Sequence, residues 1–187
     1  TRAGISVYDG VTWESYSIAD ELPAMTFKGL QMDRKGKMWA ISEVNQGVFY
    51  IANYDGSRWN EIPPPILPPE VKLEATTAFI MMQRPGHTII AVGTRNNGII
   101  FWKRGEWVHI SKKNGLPDNS VNGIVTLDDR FYVATKNGLA VIDSHFKVHN
   151  GLNKELNLPE SQLDIKGIGI EYRRQYPDSE LQYDRIW

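Results

Sequence analysis

The apolar residues of this chain fall in short runs, mostly of four to seven residues, separated by turn-forming residues. Ser120 to Thr126 alternates around Val121, Ile124 and Val125, Asp128-Asp129 makes a turn, and Phe131 to Thr135 follows as a second strand. Lys136-Asn137 is then a loop and Gly138 to Ile142 a third strand; an aromatic after the next Gly turn, such as Trp107 in the preceding unit, opens a fourth. The same four slots read Phe27–Met32, Met38–Ser42, Gly47–Asn53 and Arg58–Ile62 earlier in the chain. Apolar residues nowhere keep a helical period; Asn153 to Asn157 has room for one helical turn.

These groups of strands recur. A turn followed by Trp appears as Asp9-Gly10 with Trp13, Asp55-Gly56 with Trp59, and Arg104-Gly105 with Trp107, the tryptophans 46 and 48 residues apart. Leu-Pro appears at Leu22-Pro23, Leu67-Pro68, Leu116-Pro117 and Leu158-Pro159, and Gly before an apolar stretch at Gly4, Gly47, Gly98 and Gly138. Three markers share one beat of 40 to 51 residues. Four short antiparallel strands at that period describe an all-β chain of the β-propeller type, whose four-stranded blades must stack on one another to bury their apolar faces.

The count is three complete blades, residues 21–62, 63–110 and 111–150, between the second half of a blade in 1–20 and the first half of another in 151–187. The start, Thr1-Arg2-Ala3-Gly4-Ile5, matches Thr135 to Leu139, and Trp187 falls in the slot of Tyr132 and Trp39. The two halves would complete one composite blade in a four-bladed ring, or the segment is cut from a larger ring; a raw strand edge favours the latter and offers a surface for self-association. With Thr1 first and neither an initiator Met nor a signal pattern, the chain reads as a segment of something longer.

The run Gly115-Leu116-Pro117-Asp118-Asn119-Ser120-Val121, Asp128, Tyr132-Val133-Ala134-Thr135 and Asn137-Gly138-Leu139 resembles the two-component regulator propeller repeat. The likeness is fair in the first unit (Asp33, Gly36, Met38-Trp39-Ala40, Gly47-Val48) and blurred in the second, where Arg84-Pro85-Gly86 replaces the Asp turn and Pro63 to Pro69 is inserted. The resemblance implies a sensor region, commonly extracytoplasmic and periplasmic here, ahead of a kinase, cyclase or other output module. It implies no catalytic residue, since the repeat residues are structural.

Composition narrows the partners. Lys plus Arg number 21 and Asp plus Glu 22, a net charge of −1 that argues against nucleic acid. The absence of cysteine excludes disulfides and thiolate metal sites, and no apolar run reaches the ~20 residues of a membrane helix. His145 and His149 have only Asp143 as a nearby carboxylate in sequence, so ordinary surface histidines are the reading and no metal is expected. Asp118 and Asp128-Asp129 read as turn residues and not as a calcium loop. No phosphate loop, nucleophile elbow or other cofactor motif is present, and no cofactor is expected. Trp13, Trp59 and Trp107 hold one repeat slot and Trp39 and Trp187 another, which favours core packing over sugar platforms; Trp102 falls outside both. Pro63 to Pro69 reads as a rigid connector before it reads as a ligand for a recognition domain.

An up-and-down blade puts its first-to-second and third-to-fourth turns on one face and its second-to-third loops and blade connectors on the other. The first set here is tight and repetitive; the second varies, and variable loops on a rigid scaffold carry function. Arg95, Asn96 and Asn97, with Glu43, Asn45 and Lys136, are therefore the candidate contacts, suited to a small polar or anionic ligand or a protein partner. A ligand-sensing or protein-docking propeller is the leading expectation, and no enzyme activity is expected. A propeller lyase or hydrolase would need His and carboxylate groups converging on a face that offers mostly Asn, Lys and Arg. A purely structural module is the remaining alternative.

Overall fold

The computed structural model describes residues 4–149, 159, 163–173 and 182–186, the last two strands by backbone only. Among the described residues, sixteen strands form five antiparallel sheets in strict chain order. β1 (Ile5–Tyr8) and β2 (Trp13–Tyr16) make a two-stranded sheet. β3 to β6 (Phe27–Met32, Met38–Ser42, Ile51–Tyr54, Trp59–Ile62) make the first full blade. β7 to β10 (Thr76–Arg84, His87–Thr94, Ile99–Lys103, Glu106–Ile110) make the second and β11 to β14 (Val121–Leu127, Arg130–Thr135, Gly138–Asp143, Val148–His149) the third. β15 (Ile170–Arg173) and β16 (Gln182–Ile186) pair with each other in a sheet separate from β1–β2. This is a propeller-like, all-β architecture.

The core lies between blades, because each sheet is apolar on both faces. Ile5, Leu22, Ala40, Ala52 and Trp59 pack at the first junction. Trp39, Ile41, Phe49, Ile51, Ile90, Val92 and Ile100 pack at the second, and Ile89, Ile99, Phe101, Val121, Phe131, Val133 and Ile142 at the third. The Leu-Pro marker acquires a reason here. Ser17 and Ser111 each open a single 3-10 turn closed by a capping box with Asp20 or Asn114. Those turns deliver Leu22 and Leu116, both buried, into the junctions.

Three expectations need correction. The third strand of the first blade begins at Ile51, not Gly47. Ser42 N–H bonds to the Tyr50 carbonyl as Thr94 N–H bonds to that of Gly98, so Tyr50 is the counterpart of Gly98 and Gly47 sits in an inserted turn closed by Asn45 and Val48. Fully buried Phe49 anchors that insertion.

Trp13 is not core: it is 71% exposed, against 2% for Trp59. Trp59 meets Tyr16 of the sheet before it, and Trp107 meets Phe49 of the insertion in the blade before it, whereas no described sheet precedes Trp13 in the chain.

Trp102 does belong to a repeat slot. It stands opposite Trp107 on β9–β10 as Tyr54 stands opposite Trp59 and Tyr8 opposite Trp13. The residue type varies between Tyr and Trp, which hides the slot in the sequence. Trp187, Asn153 to Asn157 and Leu158 lie outside the described residues.

Candidate functional site

Two elements converge on the second-to-third-loop face, at the boundary between the second and third blades. One is the β8–β9 loop, Arg95 to Asn97; the other is the connector Asp118 to Ser120 with the β12–β13 loop, Lys136-Asn137. The β8–β9 loop is fastened at several points. Arg95 N–H donates to the Ala75 carbonyl, Asn97 N–H to Thr94 Oγ1, and the Thr94 amide and hydroxyl both donate to the Gly98 carbonyl at 2.9 and 2.8 Å. Gly98 takes φ +76° and donates to the Asn119 carbonyl at 2.7 Å, which ties the loop to the next connector. A Cβ on Gly98 would lie 2.2 Å from the Ile110 carbonyl oxygen, so only glycine fits this close approach.

The loops line an open recess of about 430 Å³ bordered by Arg95, Asn96, Asp118, Asn119, Ser120, Lys136 and Asn137. Its lining is mostly polar. Among the described residues neither Arg95 nor Lys136 takes part in an ion pair or a side-chain hydrogen bond, so both cations are available to a ligand. The one carboxylate in the lining, Asp118, accepts from Ser120 N–H at 2.8 Å and faces Lys112 Nζ at 3.9 Å. Nearby Asp164 is engaged by Lys166 and Asn122. The hydrogen bond from Lys166 holds its carboxyl below the usual range, and the charge of Lys136 adds to that. The arrangement places two cations free of ion pairs, four amide or hydroxyl side chains and the Asp118 carboxylate around an open recess, a geometry that takes carboxylate, phosphate or hydroxyl groups.

Of the six candidate contacts, the structure brings Arg95, Asn96 and Lys136 into this one cavity. Asn97 points elsewhere: its Nδ2 donates to the Lys72 carbonyl at 2.7 Å, and its own carbonyl receives His109 Nε2 at 2.5 Å. Glu43 and Asn45 do not line it; they belong to the inserted loop of the first blade, where the Glu43 amide bonds to the Thr26 carbonyl and Asn45 to Val48. Asp118, Asn119, Ser120 and Asn137 fall within the repeat pattern in the sequence and also line this recess.

A second recess adjoins the first and shares Asn119 with it. It measures about 320 Å³ and is lined by Pro68, Glu70 and Val71 of the Pro-rich connector, by Asn97 and His109, and by residues 111–114. The connector packs along the second blade, with Trp107 Nε1 donating to the Pro63 carbonyl at 3.0 Å. The tight-turn face is not featureless either. Arg34, Gln83, Asp128 and Asp129 border a cavity of about 450 Å³ there, in which two carboxylates accompany the one arginine, and Asp129 is itself paired with neighbouring Arg84 at 2.6 Å. His149 Nε2 meets Asp143 Oδ2 at 2.9 Å, and among the described residues no group of three or more His, Asp or Glu gathers as metal ligands.

No family model and no curated protein matches the sequence. Two solved structures share the fold, both of the extracellular domain of BT4673 from B. thetaiotaomicron, described in one as a one component system and in the other as a hybrid two component system. Their TM-scores are 0.62 and 0.61, each at 13% identity, over 91% and 90% of this chain. The chain spans only 23% and 22% of the length of those two structures.

Proposed function

We propose that this chain is a ligand-sensing portion of a β-propeller, part of the sensor region of a two-component-type signalling receptor, and that it binds without catalysing. The observation that carries the reading is the convergence of Arg95 and Lys136, both free of ion pairs, with Asn96, Asn119, Ser120 and Asn137 on one pre-shaped recess. The residues there are donors and acceptors with no acid–base pair poised for chemistry, which supports binding over turnover. The fold shared with the extracellular domain of BT4673 supports an extracytoplasmic sensor role, and the Gly115–Leu139 run supports the repeat family. The ligand class is small, polar and anionic.

Calorimetric titration with citrate and with inorganic phosphate tests this. Arg95→Ala with Lys136→Ala should weaken binding of the better probe by at least tenfold, ~1.4 kcal/mol, while Arg34→Ala on the opposite face leaves it unchanged. Loss from Arg34→Ala alone would assign binding to the tight-turn face.

A further inference from the structure

The two recesses on the loop face differ in character. The first is mostly polar and cationic; the surface of the second is mostly apolar, with Pro68, Val71 and His109 in its lining beside Glu70, Lys112 and Lys113. They are joined through Asn119, which lines both. The partition between them is rigid. Asn119 Oδ1 accepts from Lys112 N–H at 2.8 Å, its carbonyl accepts from Gly98 N–H at 2.7 Å, and Asn97 is held at once to Lys72 and to His109. The His109 ring is thereby fixed, its Nε2 spent on the Asn97 carbonyl.

From this juxtaposition we infer that the site is bipartite and takes a small amphipathic acid: an anionic group against Arg95 and Lys136, and a compact apolar group in the Pro68–Val71–His109 recess. The inference rests on the site reading above and deepens it. The physical reason is a division of labour. Two solvated cations supply orientation but little net affinity, because each exchanges water for ligand at small gain. An adjoining apolar recess removes carbon surface from water and supplies the affinity that the charges lack. Since the partition is fastened before any ligand arrives, little ordering cost opposes a ligand that spans it.

The test uses three related compounds on the 187-residue chain, followed by chemical-shift titration. N-acetylphenylalanine offers both groups, N-acetylalanine only the carboxylate, and N-acetylphenylalaninamide only the ring. The first should bind at least tenfold more tightly than either of the others. Val71→Thr, nearly isosteric but polar, and Pro68→Ser, at an exposed position, should each shrink the phenylalanine-over-alanine preference. Arg95→Ala should weaken both acids and leave their ratio alone. Equal binding of the two acids, or an equal loss for both in the Val71 and Pro68 variants, would overturn the bipartite site while leaving the cationic recess standing. If citrate and phosphate also fail to bind, the site reading falls and this inference with it.

Discussion

Trp59 stands edge-on to Tyr16 across the first blade junction, ring centroids 5.8 Å apart and planes at 75°. Tyr54 completes the cluster, 5.4 Å from Trp59 and 5.1 Å from Tyr16. The contact joins residues 43 positions apart in sequence, so it holds two sheets together and not one hairpin.

Removing that contact should therefore be costly. Trp59→Ala is expected to lose about 3–5 kcal/mol in denaturant melts, from lost burial and the cavity left behind. Trp13→Ala, in the same repeat slot but exposed, should stay within about 0.5 kcal/mol of the parent. Equal losses in the two variants would contradict the packing described for the first junction.

Gln31 links the first strands of adjacent blades, β3 and β7. Its Nε2 donates to the Phe79 carbonyl at 3.0 Å and its Oε1 accepts from Met81 N–H at 3.1 Å. These two backbone groups face away from β8, on the edge of β7 that has no strand partner. Gln31→Ala should cost about 1–3 kcal/mol, because both groups lose their partner in a half-buried setting. Gln31→Glu keeps the acceptor, loses the donor and sets a carboxylate against a carbonyl. It should be worse than Ala at pH 7 and recover as the carboxyl protonates in acid. A pH-independent Gln31→Glu melt would refute the bridge.

Much of this order was legible in the sequence because it is periodic. Leu22 and Leu116, Trp59 and Trp107, and Gly98 and Gly138 recur on one beat, and each repeats because the same junction or turn must be rebuilt in every blade. What stayed hidden departs from identity while keeping the role. Tyr50 stands where Gly98 and Gly138 do, and Trp102 where Tyr54 does. The exposure of Trp13 was hidden for another reason: burial depends on the sheet that precedes it, which a slot alignment does not contain. At the site, Arg95, Asn96 and Lys136 were legible as variable-loop residues. The turning away of Asn97 was not, since it depends on where the Lys72 carbonyl and the His109 ring fall after the Pro-rich connector packs.

Asp143 closes the β13–β14 turn, accepting from His145 N–H at 2.9 Å, Lys147 N–H at 3.1 Å and His149 Nε2 at 2.9 Å. Partial burial alone would raise its pKa, but the bonds from His149, Lys147 and His145 outweigh that and hold the carboxyl at about 2. A folded-state value below the unfolded one, about 3.9, means that the unfolded chain binds the proton more readily. The stabilisation is thus present above pH ~4 and is lost as pH falls through about 2. Solvent screening keeps it to about 0.5–1 kcal/mol. Asp143→Asn should lower the melting temperature at pH 6 and narrow the gap to the parent near pH 2; a gap that persists unchanged in acid would exclude the ionic contribution.

The last prediction separates backbone strain from steric clash at the site. Gly98 and Gly105 both adopt left-handed φ, +76° and +91°. A methyl group at Gly105 would meet nothing within 4 Å, whereas one at Gly98 would meet the Ile110 carbonyl oxygen at 2.2 Å and Ser111 Cα at 3.1 Å. Gly105→Ala should therefore cost only the left-handed penalty, about 1–2 kcal/mol. Gly98→Ala carries that penalty and must also push β10 and the Ser111 turn away from the β8–β9 loop, for about 1–3 kcal/mol more. The same displacement loosens the Gly98–Asn119 bond that fixes the wall of the cationic recess, so citrate binding should weaken in Gly98→Ala and not in Gly105→Ala. Matching melts for the two variants would show that the loop yields without cost, and the recess would then owe nothing of its shape to Gly98.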